Sequence, residues 1–137
     1  MKKTFILLLF SLSLQAEGVI WLSMDKAYSL AKKHKKAIMV FVYKEGCSAC
    51  ADIESRIDKN LLMQSSIKQV LPVKISYSNS KNIFPSTMVT PTFYFIDANG
   101  RELLPAVKGS PSSDYEFMDY ITSAAAVAEI LDTQAKK

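Results

Sequence analysis

The chain has 137 residues, which is enough for one domain with a hydrophobic core. Its formal net charge is +4, and loss of a leader containing Lys2 and Lys3 lowers this charge to +2, so we expect no nucleic-acid partner. Two cysteines and one histidine are too few for the four ligands of a structural zinc site, and we expect neither a metal nor another cofactor.

Residues 1–16 have the pattern of a secretory signal peptide. A basic start, Met1–Lys3, precedes an apolar run from Thr4 to Leu14 that is too short to span a membrane as a helix. Ala16 supplies the small residue before a cleavage site, and cleavage there leaves residues 17–137 as a single domain. We therefore expect export to a bacterial periplasm. Retention of the leader as a membrane anchor is the alternative.

The first predicted helix follows Val19–Leu22, a short apolar run that could form a first strand or a packed entry segment. Ser23 is the expected N-cap, and apolar residues at helical spacing continue the pattern to His34. Lysines surround the end of this helix, where positive charge is favourable. A docking surface for an acidic partner is the alternative interpretation of these lysines.

Two cysteines stand where a buried strand passes into a helix. The strand is predicted over Ala37–Tyr43, and Ile53 and Ile57 mark one face of the helix that follows Cys47 and Cys50. Unpaired N–H groups in the first helical turn stabilise a thiolate, and cysteines in this setting ionise well below the free value of about pH 8.5. We therefore expect Cys47 to be the attacking sulfur and Cys50 the resolving sulfur.

A C-x-x-C pair can also serve as a structural disulfide, a haem attachment site or a metal site. A structural disulfide would gain little stability by closing so short a loop. Haem attachment requires His directly after the second cysteine, and Ala51 stands there. A carrier that holds Cu(I) between the two thiolates stays open, and metal analysis under reducing conditions would separate it from an oxidoreductase.

The second half of the chain predicts a helix, a strand, a hairpin and a closing helix. The predicted elements are a helix over 61–71, a strand over 72–77, a loop over 78–86 and a strand that begins after Pro91. A turn over 97–100 leads to a return strand over 101–107, which Pro105 marks as an edge, and Ser113 with Glu116 forms a capping box before the last helix.

This order of elements resembles the thioredoxin fold over about residues 19–131. The C-x-x-C pair, Thr90-Pro91-Thr92 and Gly109 carry the resemblance, because they match the family's redox motif, its cis-proline loop and its glycine before the last helix. The resemblance implies an α/β fold with a central mixed β-sheet flanked by helices. It also implies a reversible Cys47–Cys50 disulfide, and that Thr90 and Pro91 form the substrate-binding side of the site.

The chain also departs from the family pattern. Thioredoxins proper have Trp before the first cysteine, where this chain has Gly46, and a buried acid at the position of Phe41. Lys74 matches a family lysine and is therefore expected to lack its usual acidic partner. Proton transfer from Cys50 would then use water, Glu45 or another group, so Glu45 and Lys74 are candidate supporting residues.

The expected function is reduction of disulfides in exported proteins by a periplasmic, monomeric thiol-disulfide oxidoreductase. The chain is most similar in pattern to SoxW-type periplasmic thioredoxins and to the C-terminal domain of the transmembrane disulfide reductase. A membrane-bound thiol donor is implied, because each turnover oxidises the cysteine pair. Oxidation or isomerisation of substrate disulfides is the alternative within the class, because Thr before a cis-proline also occurs in periplasmic isomerases.

Overall fold

A mixed β-sheet lies at the centre of residues 18–137, which are the part of the chain that the computed structural model describes. The strands are β1 (Ile38–Tyr43), β2 (Leu71–Ser76), β3 (Thr92–Ile96) and β4 (Glu102–Lys108). The helices are α1 (Met24–His34), α2 (Ser48–Lys59), α3 (Leu61–Ile67), α4 (Tyr77–Ser80) and α5 (Asp114–Ala135). The predicted signal peptide, residues 1–16, lies outside the described residues.

The strand order is β2-β1-β3-β4, with β1 parallel to β2 and antiparallel to β3. β4 pairs antiparallel with β3 and forms an edge, as Pro105 predicts. This arrangement confirms the predicted α/β fold with a mixed sheet flanked by helices. None of the helices within residues 18–137 is long and apolar enough to cross a membrane.

Alternate residues of β1 fill two separate cores, one on each face of the sheet. Met39 and Phe41 pack in a core that includes residues of α2, α3 and α5. Ile38, Val40 and Val42 pack in the opposite core, where α1 contributes Ala27 and Ala31. All five of these β1 residues are fully buried, so the strand is covered on both faces, as its uninterrupted apolar sequence predicts.

Two predicted boundaries are wrong for local reasons. The helix predicted over 61–71 ends at Ile67, and Leu71 instead begins β2. Pro72 disfavours the helical conformation of the residue before it, which explains the extended backbone at Leu71. The predicted loop over 78–86 begins within a short helix, α4, because the Ser76 side chain caps it by accepting a hydrogen bond from the Asn79 N–H at 3.3 Å.

The structure also adds detail to the predictions for the segment before α1 and for the start of α5. Val19–Leu22 does not form a full strand, since only Leu22 makes an isolated parallel bridge, to Val73. At α5 the Ser113 side chain accepts from the Glu116 N–H at 3.1 Å, as expected of the capping box. The Glu116 carboxylate also accepts from the Ser112 N–H at 2.7 Å. Hydrogen bonds from Ser112 lower the pKa of Glu116.

A polar cluster fixes the cysteine-bearing helix α2 to the start of α5. The Arg56 Nε–H donates to the Asp114 carboxylate at 2.8 Å, and the Asn60 amide donates to the same carboxylate at 3.0 Å. The hydrogen bond from Asn60 is the largest cause of a lowered pKa at Asp114, and the hydrogen bond from Arg56 is the next. Arg56 also donates to the Pro111 carbonyl oxygen at 3.2 Å, which ties the segment before α5 to the same guanidinium.

Candidate active site

A tight turn carries the chain from β1 to the cysteine pair. The Cys47 N–H donates to the Lys44 carbonyl oxygen at 3.2 Å, and Gly46 has φ of +77°. A side chain is strained in this left-handed conformation, so the backbone favours Gly46 where thioredoxins proper have Trp. The turn delivers Cys47 directly to the N-cap position of α2.

Cys47 caps the helix with its sulfur. The Cys50 N–H donates to Cys47 Sγ over 3.2 Å, and the Ala51 N–H donates to the Cys47 carbonyl oxygen at 3.1 Å. A sulfur in this position faces the unpaired N–H groups and the positive end of the helix dipole, which both favour a thiolate. The local structure therefore provides the electrostatic environment that the sequence predicts for Cys47.

The two sulfurs form a pair with unequal access to solvent. Cys47 and Cys50 are in disulfide geometry, with their Cα atoms 5.3 Å apart. Cys47 is partly exposed, whereas only 3% of Cys50 is accessible. An incoming disulfide can therefore approach Cys47 far more readily than Cys50.

The loop before β3 lies against the cysteine pair. The Thr90 carbonyl oxygen is 3.5 Å from Cys47 Sγ, and the Thr90–Pro91 peptide bond is cis. Pro91 is buried, and its carbonyl oxygen accepts a hydrogen bond from the Gly109 N–H at 2.8 Å. Thr90, Pro91 and Gly109, which are far apart in the sequence, thus meet beside Cys47.

Exposed apolar side chains precede Thr90 on this loop. Met88 is 83% exposed and Val89 is 45% exposed. Sequence reasoning did not single out either residue, because an apolar residue just before a strand is ordinarily expected to be buried. They directly precede Thr90, which lies against Cys47, so the loop presents apolar side chains to solvent next to the site in the sequence.

Aromatic packing occupies the position beneath the cysteine helix where the family has an acid. Phe41 is fully buried and stacks on Phe93, with ring centroids 4.9 Å apart. Trp21 and Tyr43 also pack against the Phe41 ring, with centroid distances of 5.9 Å and 6.3 Å. The position is therefore filled by an apolar aromatic cluster, and Phe41 offers no group that could accept a proton.

Lys74 has an acidic partner that the sequence analysis did not identify. Its Nζ forms an ion pair with the Glu54 carboxylate of α2 and lies 4.7 Å from the centroid of the Tyr43 ring. The usual acidic partner is absent, because Phe41 stands at its position, and Glu54 pairs with Lys74 instead. The spacing could have indicated Glu54, because it lies four residues after Cys50 and so one turn further along the same helix.

The other candidate supporting residue, Glu45, is exposed in the turn before Cys47. Its side chain takes part in none of the ion pairs or hydrogen bonds found for residues 18–137, so the structure assigns it no contact with either sulfur. Over the same residues, no group of three or more His, Cys, Asp or Glu side chains is arranged to hold a metal ion. A Cu(I) carrier would have to rely on the two sulfurs.

Comparison with known proteins identifies the family. The family model described as a thioredoxin-like domain matches residues 24–125. The chain belongs to the thioredoxin-like family. Its fold and its C-x-x-C pair are those of a thiol-disulfide oxidoreductase. None of the curated proteins matches the sequence significantly.

Solved structures show the same fold at low sequence identity. The oxidoreductase DsbH has a TM-score of 0.69 at 18% identity, with coverage of 80% of this chain and 86% of DsbH. A thioredoxin from Thermus thermophilus has a TM-score of 0.66 at 19% identity, with 77% and 86% covered. The oxidised C-terminal domain of DsbD from Neisseria meningitidis has a TM-score of 0.62 at 10% identity, with 77% and 99% covered.

Proposed function

We propose that the chain is a periplasmic thiol-disulfide oxidoreductase that reduces disulfides in exported proteins through Cys47 and Cys50. The observation that carries this proposal is the position of Cys47, whose partly exposed sulfur accepts the Cys50 N–H at the start of α2 and lies 3.5 Å from the Thr90 carbonyl oxygen. The partly exposed attacking sulfur therefore lies beside the shielded resolving sulfur and beside the loop that would border the substrate.

The reaction takes place in two exchanges. The Cys47 thiolate attacks one sulfur of the substrate disulfide, so that a mixed disulfide forms and the other substrate sulfur leaves as a thiolate. Cys50 then loses its proton and attacks Cys47 Sγ, which releases the second substrate thiolate and leaves the Cys47–Cys50 disulfide. Thr90 and Pro91 border the substrate, and a membrane-bound thiol donor restores the reduced pair.

The reducing direction is supported by the residues around Cys47. A strongly stabilised thiolate would favour the reduced form and make the protein an oxidant. Ser48 and Ala49, the residues between the cysteines, carry no positive charge, and Lys44 is exposed and therefore screened. We expect a reduction potential of roughly −200 to −270 mV, nearer to that of thioredoxin than to that of a strong oxidant.

Equilibration with glutathione, followed by trapping and mass analysis, measures this potential. A value within the expected range, together with reduction of insulin disulfides by the reduced protein, would support the proposal. The Cys47→Ser variant is the matched control, since it keeps the fold but removes the attacking sulfur. A value above about −150 mV would instead assign the protein to disulfide oxidation.

Export is the second part of the proposal, with residues 1–16 as signal peptide and residues 17–137 as the mature domain. The neighbouring Dsb structures make thiol redox partners a reasonable expectation, and the basic and apolar pattern at the start of the sequence supports secretion. Intact mass of the protein from a periplasmic fraction should correspond to a chain that begins at Glu17. Full-length protein in the membrane fraction would contradict this expectation.

A further inference from the structure

The second exchange requires a base close to Cys50. The attacking species is a thiolate, yet Cys50 is 3% exposed and lies in the core among Phe41, Ile53 and Phe93. Burial in apolar surroundings disfavours the charged sulfur. Bulk water therefore has little access to the thiol proton, and a nearby group that accepts the proton would accelerate the step.

Glu54 is the carboxylate of α2 that lies on the same face of the helix as Cys50. Residues four apart on a helix have Cβ atoms about 5–6 Å apart and share one face, so Glu54 lies one turn beyond Cys50 on the same side of α2. Its side chain is 34% exposed, at the border between the core and solvent. A base must meet the thiol directly or through one water, and Glu54 is the carboxylate of α2 whose helical spacing from Cys50 permits this.

The other carboxylates around the cysteines are less suitable. Asp52 is only two residues from Cys50, so it points to a different side of the helix, where it is 63% exposed and pairs with Arg56. Glu45 is exposed in the turn on the far side of Cys47. Neither residue has a contact that directs it towards the buried sulfur.

Lys74, in strand β2 of the sheet, forms an ion pair with Glu54. Lys74 lies in β2 directly opposite Phe41 of β1, and its Nζ pairs with Glu54 while resting over the Tyr43 ring. The ion pair limits the rotamers of the carboxylate, and the aromatic ring limits the movement of the lysine. The ion pair thus connects β2 to α2 beside the cysteine pair.

We propose that Glu54 is the general base that takes the proton from Cys50 and that Lys74 is its positioning residue. This inference rests on the proposed function. In the mixed disulfide, the Glu54 carboxylate accepts the Cys50 proton as Cys50 Sγ bonds to Cys47 Sγ. The bond between Cys47 and the substrate breaks, the substrate thiolate leaves, and Glu54 later releases its proton to solvent.

Single-turnover kinetics with the reduced full chain can separate the two exchanges. One equivalent of dithiobis-nitrobenzoate reacts first with Cys47 and then loses its second coloured thiolate when Cys50 attacks. We expect Glu54→Gln to leave the first phase unchanged at neutral pH and to slow the second by about a hundredfold, at the lower end of what a positioned base contributes. The deficit should narrow as pH rises, because hydroxide then removes the proton.

Three variants control the experiment. Asp52→Asn removes a carboxylate from the same helix and should change neither phase. Glu54→Asp keeps a carboxylate and should recover part of the second-phase rate, which a purely structural role would not predict. Lys74→Met should slow the second phase less than Glu54→Gln does, and Lys74→Arg should preserve it.

The outcomes separate this inference from the proposed function. A second phase that Glu54→Gln slows by less than tenfold, with a normal first phase as the check on folding, overturns the base role of Glu54. An unchanged second phase in Lys74→Met overturns the positioning role of Lys74. If the wild-type protein shows both phases but does not reduce protein disulfides, the proposed function fails while the role of Glu54 stands.

Discussion

The ionisation of Cys47 is the property on which the proposed chemistry depends most directly. Cys50→Ala leaves one sulfur at the N-cap and retains the N–H of residue 50, which donates to Cys47 Sγ over 3.2 Å. A hydrogen bond to a charged group contributes about 1.5–3 kcal/mol, and each 1.4 kcal/mol changes the ratio of thiolate to thiol about tenfold. We therefore expect the ratio of thiolate to thiol at Cys47 to be about ten to a hundred times that of a free cysteine at the same pH.

Thiolate absorbance as a function of pH, checked by the rate of alkylation with iodoacetamide, measures this ratio. Cys47→Ala is the matched control, because its remaining sulfur, Cys50, is buried in the core and should ionise only at higher pH. A titration midpoint for Cys50→Ala at or above about pH 8.5, the value for a free thiol, would refute the reasoning. It would mean that the helix start does not activate the sulfur.

Two further predictions concern the packing that supports the site. Asp114→Asn should lower the free energy of unfolding by about 1 kcal/mol at neutral pH, discounted because the carboxylate is partly exposed. The pKa of Asp114 is lowered in the folded protein, so its contribution is lost as pH falls below about 4, and urea denaturation should show the variant and wild type converging there. Phe41→Asp should cost at least about 3 kcal/mol, because it removes a fully buried ring and buries a carboxylate, whereas Phe41→Leu should cost about half as much or less. Equal urea midpoints for these two variants would contradict the packing argument.

The features that the sequence predicted correctly depend on neighbouring residues. Ser23 caps α1 through a hydrogen bond from the Lys26 N–H, and α1 ends at His34 as expected. The apolar strand before Cys47 is buried on both faces, and α2 buries Ile53 and Ile57. Caps, alternation and helical spacing are set within a few residues, so a single sequence contains them.

The features that the sequence did not predict depend on contacts between distant segments. The pairing of Lys74 with Glu54 requires the register of β1 with β2 and the height of α2 above the sheet. The exposure of Met88 follows from the path of the loop before Pro91, which composition alone does not determine. In the cap of α5, the Ser113 hydrogen bond is the one that the sequence predicts, and the bond from the Ser112 N–H to the Glu116 carboxylate is an additional contact.

The substitution at residue 41 links the stability of the core to the chemistry of the site. A carboxylate at that position would have to be desolvated beneath α2, which is costly unless it is fully paired. Phe41 avoids this cost and adds a stacked ring to the core, but it removes any acid from the interior. Glu54 lies instead at the border of the core, where solvent reduces the desolvation cost and Lys74 compensates the charge. The base is then partly accessible to ions, so we expect the second exchange, unlike the first, to slow as salt weakens the Glu54–Lys74 pair.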